Sequence, residues 1–198
     1  MKFFFTILSG FILLLGCSAE QADVCRLKSF TGEVEVSADK NDFKPAANGQ
    51  LMAAGSEIRV RKNSSALLEF IQNSGTLTLK ENSFFEVKAG NCLGNQKAGM
   101  ASYDINKKQT EIVIETPHGT TAILGTKFVQ SVTESSFDLW VADGKVSFTT
   151  AGKSKIIEAG SKIHFQKNSQ LEEPQPIPLP EKAKIFMKGD GKVNINRR

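Results

Sequence analysis

Metal ligands and nucleophiles are scarce in this chain of 198 residues. It has two histidines, His118 and His164, and three cysteines. No Cys-x-x-Cys pair occurs, so zinc ribbons and dithiol redox centres are excluded. A P-loop, a G-x-S-x-G elbow and an H-E-x-x-H helix are also absent. No cofactor is expected. One Tyr and one Trp, Tyr103 and Trp140, stand against fourteen Phe. That bias favours core filling over the aromatic platforms that stack sugars or bases. The formal net charge is only +4 and is spread along the chain. Such a balance keeps a protein soluble and weakly attracts anionic surfaces, but it does not build a nucleic-acid interface. No apolar run reaches the ~20 residues of a spanning helix.

The apolar run that does occur is at the start. Lys2 precedes a largely apolar run of roughly 13 residues from Phe3 to Leu15, the length of a secretory signal core. Leu14-Leu15-Gly16-Cys17 closes it and resembles the bacterial lipobox. That resemblance implies a signal peptide over 1–16 and Cys17 as the acylated, palmitate-bearing first residue of the mature chain. A polar tether, 17–23, follows. The protein is then expected in the cell envelope, held to a membrane by lipid. Ser18, where Asp is the usual inner-membrane retention signal, favours the outer membrane, facing the periplasm or the cell surface.

Once Cys17 carries lipid, Cys25 and Cys92 share an oxidising compartment. They are candidates for a disulfide, worth about 4 kcal/mol for so long a loop. The alternative is two free thiols, one buried and one in a loop.

From 24 to 168 the pattern has period two. Gly32-Glu33-Val34-Glu35-Val36, Glu57-Ile58-Arg59-Val60, Thr76-Leu77-Thr78-Leu79 and Phe137-Asp138-Leu139-Trp140-Val141 all alternate. Alternation sends one set of side chains to a core and the other to solvent. Asn48-Gly49, Asn73-Ser74-Gly75, Gly90-Asn91 and Asp143-Gly144 punctuate the run. Many short strands between such turns mean one all-β domain. An internal echo links Ala54-Gly55-Ser56-Glu57-Ile58-Arg59-Val60 to Ala159-Gly160-Ser161-Lys162-Ile163-His164-Phe165. A second links Gly32-Glu33-Val34 to Gly144-Lys145-Val146. A reused strand pair predicts a rolled or solenoid-like architecture.

Pro174, Pro176, Pro178 and Pro180 are four of the six prolines. They mark 169–180 as a semi-stiff linker. The tail, 181–198, carries six Lys or Arg against two acids. It reads as a frayed end or a last strand folding back, with a docking segment as the alternative.

Nothing in the pattern assembles a catalytic set. Ser37-Ala38-Asp39-Lys40 fits S-x-x-K, but it follows an alternating strand and lacks the partner motifs that chemistry needs. His118, between Pro117 and Gly119, reads as a surface turn residue. Glu33, Glu35 and Glu57 read as a solvated strand face. The chain is not expected to be an enzyme.

One block is more specific. Thr116-Pro117, then Ala122-Ile123, then Gly125-Thr126-Lys127-Phe128 is similar to the hallmark of the FecR domain family. Upstream, Ser65-Ala66-Leu67-Leu68-Glu69-Phe70, Gly75-Thr76-Leu77-Thr78-Leu79 and Asn82-Ser83 resemble the family's strand, glycine turn, strand and corner. Leu124 stands where the family often has a basic residue. Gly125 permits close backbone approach or a bulge. Thr126 and Phe128 should share one face, with Lys127 on the other. The resemblance implies a structural rather than catalytic role for Thr116, Pro117, Gly125, Thr126 and Phe128. The best-known members of the family are inner-membrane regulators that hold a sigma factor in the cytoplasm. The lipobox reading places this domain outside the cytoplasm, so the expected partner is another envelope protein. The alternative is a peptidoglycan or surface-polysaccharide ligand.

Overall fold

The computed structural model describes residues 23–71, 75–107 and 109–178. The expected signal peptide, Cys17, all of the tether but Asp23, and the basic tail lie outside the described residues. So does the end of the linker.

Among the described residues the chain forms seventeen strands. They are β1 (Asp23–Thr31), β2 (Val34–Ser37), β3 (Lys44–Pro45), β4 (Leu51–Ala53), β5 (Glu57–Val60) and β6 (Ser65–Phe70). Next come β7 (Gly75–Leu79), β8 (Ser83–Val87), β9 (Cys92–Ile105), β10 (Ile112–Thr116), β11 (Gly119–Ile123) and β12 (Lys127–Val132). The last are β13 (Ser136–Asp143), β14 (Lys145–Thr150), β15 (Lys153–Glu158), β16 (Ser161–Gln166) and β17 (Gln175–Pro176). The fold is all-β, as the period-two pattern predicts.

Hydrogen bonding links all seventeen strands into one network, which runs as two ladders. One ladder has the order β4-β1-β6-β7-β9-β12-β13-β16-β17. The other runs β3-β2-β5-β8-β9-β10-β11-β14-β15. Every pairing is antiparallel except β9 with β10. The chain crosses repeatedly between the ladders, so the sheet rolls back over itself.

Strand β9 belongs to both ladders. Its first half pairs with β8 and β10, its second half with β7 and β12. The changeover falls at Gly99, where φ is +89° and a Cβ would lie 2.5 Å from the Ser83 Cα. Only glycine fits a backbone approach that close at positive φ.

The inward positions of both ladders fill one core. Ala66, Leu68 and Phe70 of β6 are buried, as are Phe137, Leu139 and Val141 of β13. Across the layers Phe137 stacks on Phe148 of β14, with centroids 4.2 Å apart and planes 11° from parallel. A buried Phe truncated to Ala costs ~3–5 kcal/mol, so this pair pins the ladders together.

The internal echo is local. Gly55 and Gly160 each close a turn before a strand, β5 and β16. Yet β2 pairs with β5, while β14 and β16 lie in different ladders. Turn chemistry recurs without the pairing that a repeat unit requires.

The proline-rich segment, expected as a linker, is bonded to the domain through residue 177. Gln175 and Pro176 pair with Lys162 and Ser161, and the Ile177 N–H donates to the Gly160 carbonyl at 2.8 Å. Ile177 is buried, and Leu171 packs against the core. Proline is tolerated here because β17 is an edge strand.

Candidate functional site

The block Thr116 to Phe128 folds as a hairpin and a corner. Thr116 Oγ1 closes the turn: it donates to the Gly119 carbonyl at 2.9 Å and accepts from the N–H groups of His118 and Gly119. Pro117 presets the turn's backbone angle. Downstream, Gly125 has φ +105°, and a Cβ on it would lie 2.4 Å from the Lys107 Cα. It therefore sits at a corner between β11 and β12, where two backbones nearly touch, rather than inside a strand. Thr126 is buried and its hydroxyl donates to the Lys145 carbonyl at 3.0 Å. Phe128 is buried and stacks on Tyr103 at 4.6 Å. Lys127 faces outward and pairs with Asp104 at 2.9 Å. Leu124 is half exposed.

His118 is not the surface residue its turn suggested. It is 6% exposed, packs edge-on against Phe165, and its Nε2 lies 2.8 Å from the Thr133 carbonyl. A carbonyl only accepts, so Nε2 carries the hydrogen.

A buried polar network lies behind Phe128. Tyr103 Oη donates to Gln96 Oε1 at 2.9 Å, and Gln130 Nε2 donates to the same oxygen at 2.8 Å. Gln96 Nε2 donates to the Gly99 carbonyl at 2.8 Å, and the Thr121 hydroxyl donates to Gln130 Oε1 at 3.1 Å. Gln96, Gln130 and Thr121 are fully buried. The network ties the bend of β9 to β11 and β12. Burial pushes the Tyr103 phenol well above its ordinary pKa. The only clue was Gln at inward positions of two alternating strands.

The carboxylates are not all solvated. Glu57 is 3% exposed and bonds to Lys97. Glu86, opposite Glu57 on β8, bonds to Lys97 at 3.2 Å and Lys40 at 2.6 Å. Burial alone would raise the Glu86 pKa, but the hydrogen bonds from Lys40 and Lys97 outweigh it and hold it below the usual range. The Arg59 guanidinium sits 3.5 Å from the Phe43 ring centroid and 5.0 Å from that of Phe84. The loop that follows β2 and carries Asp39 and Lys40 thus reaches this face. The Ser37 hydroxyl donates to Asp39, and Lys40 is engaged by Glu86 rather than by Ser37. The S-x-x-K match has no nucleophile geometry.

Cys25 and Cys92 are free thiols, not the expected pair. Cys25 is buried in one ladder, opposite Met52 and Phe70. Cys92 starts β9 in the other ladder, opposite Val113. Burial pushes the Cys25 thiol up to about 12, and a smaller burial raises Cys92.

The most accessible binding feature is an edge. Strands β3 and β17 are two residues long and β4 is three, whereas β15 runs six, Lys153 to Glu158. It pairs with β14 on one side, and its other side has no strand partner among the described residues. Ile156 on its outer face is 63% exposed. An unpaired edge with an exposed apolar residue is a template for strand addition.

Residues 51–147 match the family model described as FecR protein. The chain carries a FecR domain. The match includes the Thr116–Phe128 block and the ladder changeover at Gly99. Two crystal structures of a proposed anti-sigma factor from Parabacteroides distasonis, at 1.65 and 2.50 Å, share the fold of this FecR domain. TM-scores are 0.58 and 0.59, each at 12% identity over 67% of this chain. The alignments span 65% and 64% of those chains, so this protein covers just under two thirds of its structural relatives. At such identity the likeness is one of fold. No curated protein matches the sequence.

Proposed function

We propose that this is a lipid-anchored cell-envelope protein whose FecR domain binds an envelope protein partner by strand addition at β15. The open six-residue edge carries the reading, since backbone N–H and C=O groups supply affinity and the flanking side chains supply selectivity. The family supports a non-enzymatic, regulatory or assembly role. The described residues add structural explanations for the titratable groups that looked most like catalysts, His118 and Ser37 to Lys40. Cys17 is the proposed acylation site. Acylation there would hold the domain outside the cytoplasm, which argues for an envelope partner over a sigma factor.

Crosslinking in intact cells, then purification of the protein and mass spectrometry, tests this. One enriched outer-membrane or secreted protein is the expected result. Recovery of a sigma factor, or of abundant bystanders alone, would overturn it. Metabolic labelling with an alkyne fatty acid tests the anchor, with Cys17→Ser as control.

A further inference from the structure

A cleft of about 320 Å³ opens between the β10–β11 turn, the β14–β15 turn and the segment after β16. That volume is at the low end of small-molecule sites, which run ~300–1,000 Å³. Its lining includes Lys153, Lys167 and His118, and no Asp or Glu. Ion pairs elsewhere engage many of the lysines, yet neither Lys153 nor Lys167 has one among the described residues.

His118 is the informative group. It is more than nine-tenths buried, and Nε2 is committed to the Thr133 carbonyl. Its Nδ1 has no hydrogen-bond partner among the described residues. Nor is that atom sealed in: among the described residues the one fully enclosed side-chain nitrogen or oxygen without a partner is Asn95 Oδ1, on β9 and away from this cleft. With the hydrogen on Nε2, Nδ1 is left as an acceptor on a ring that lines the cleft. A fully deprotonated anion has no hydrogen to give an acceptor; a hydroxyl group on the ligand does. Asn168 and Gln170 also line the cleft, and their side-chain amides hold no bond among the described residues. Phe165 contributes an apolar wall beside them.

Two unpaired ammonium groups, one oriented acceptor, two free amides and an aromatic wall together fit one ligand chemistry. We propose that this cleft binds a sugar bearing an anionic group, a carboxylate or a phosphate. Lys153 and Lys167 hold the anion, and a ring hydroxyl donates to His118 Nδ1. The site stands apart from the strand-addition reading, which needs the backbone of β15 and not the Lys153 side chain.

Calorimetric titration of the purified full-length protein tests this with glucuronate, glucose 6-phosphate, glucose and inorganic phosphate. The charged sugars should bind at least ~10-fold more tightly than glucose or phosphate, and a K153A/K167A double variant should lose ~10-fold or more. That variant changes exposed side chains only, so an unchanged thermal unfolding curve certifies its fold. Equal affinity for phosphate, no effect of the double variant, or no binding up to about 10 mM would each overturn the proposal. Vesicles displaying a glucuronosyl lipid separate the two sources. Competition by free glucuronate supports the same cleft, whether the sugar comes from a glycan or a lipid headgroup. Vesicle binding that free glucuronate leaves untouched would show surface attraction instead and sink the idea.

Discussion

Gln130 on β12 donates from Nε2 to Gln96 Oε1 on β9 at 2.8 Å, with both side chains fully buried. This bond joins the first half of β9, in one ladder, to β12 in the other. Each amide is also held elsewhere: Gln96 by the Gly99 carbonyl and Tyr103, Gln130 by Thr121. Buried polar groups that lose a partner cost about 1–3 kcal/mol each. Gln130→Met should therefore destabilise by that amount despite its similar volume. Combining it with Gln96→Met should show a coupling of ~0.5–3 kcal/mol in urea unfolding. Simple additivity of the two variants would mean that the network does not act as a unit.

The thiols give a second check. Cys25 is sealed between Met52 and Phe70, with its pKa pushed up to about 12, whereas Cys92 is only partly covered. Thiolate is the reactive form, so both exposure and acidity favour Cys92. Maleimide labelling with peptide mapping should modify Cys92 in the folded protein and Cys25 only after denaturation. A Cys25–Cys92 peptide under non-reducing conditions would restore the disulfide.

Much of the strand content was legible because alternation is a backbone property. Phe137, Leu139 and Val141 face inward and Trp140 outward, as a period of two dictates. Thr126, Lys127 and Phe128 also fall on the expected faces. What stayed hidden depends on neighbours far away in sequence. Glu57 alternates like a solvated residue, and only the arrival of β8, β9 and the loop at Lys40 buries it. His118 looks like a turn tip until the chain returns fifteen residues later with the Thr133 carbonyl. Gly125 was recognisable as a special position, but the need for it comes from Lys107, on a segment that sequence spacing cannot bring near. The bridge between Cys25 and Cys92 failed for the same reason: compartment chemistry cannot say which ladder each thiol joins.

The charged face over β5 and β8 should make stability depend on acid. Glu86 titrates below the usual carboxylate range in the folded state, because the bonds from Lys40 and Lys97 outweigh its burial. A depressed carboxyl pKa contributes stability above its unfolded value, ~4.3, and that contribution is lost as pH falls through the folded pKa. Lys40→Met removes one of the two lysines. The Glu86 midpoint should rise, and the loss of stability from neutral pH to pH ~3 should shrink. Side-chain carboxyl NMR reads the first and urea unfolding the second. In the same titration Asp39 should report a midpoint of about 2, held down by the Asp42 and Asn41 N–H groups and the Ser37 hydroxyl. An unchanged Glu86 midpoint in Lys40→Met would break the assignment.

The edge at β15 separates folding from binding within two adjacent residues. Ile157 is fully buried, while its neighbour Ile156 is 63% exposed. Replacing a buried Ile by Ala removes core contacts, so Ile157→Ala should cost ~2–5 kcal/mol. Ile156→Glu touches only solvent and should leave stability within about 0.5 kcal/mol. Charge on an open edge is how natural sheets block strand addition. If β15 is the docking strand, Ile156→Glu should abolish recovery of the crosslinked partner while the unfolding curve stays where it was. A variant that keeps both its stability and its partner would move the interface away from this edge.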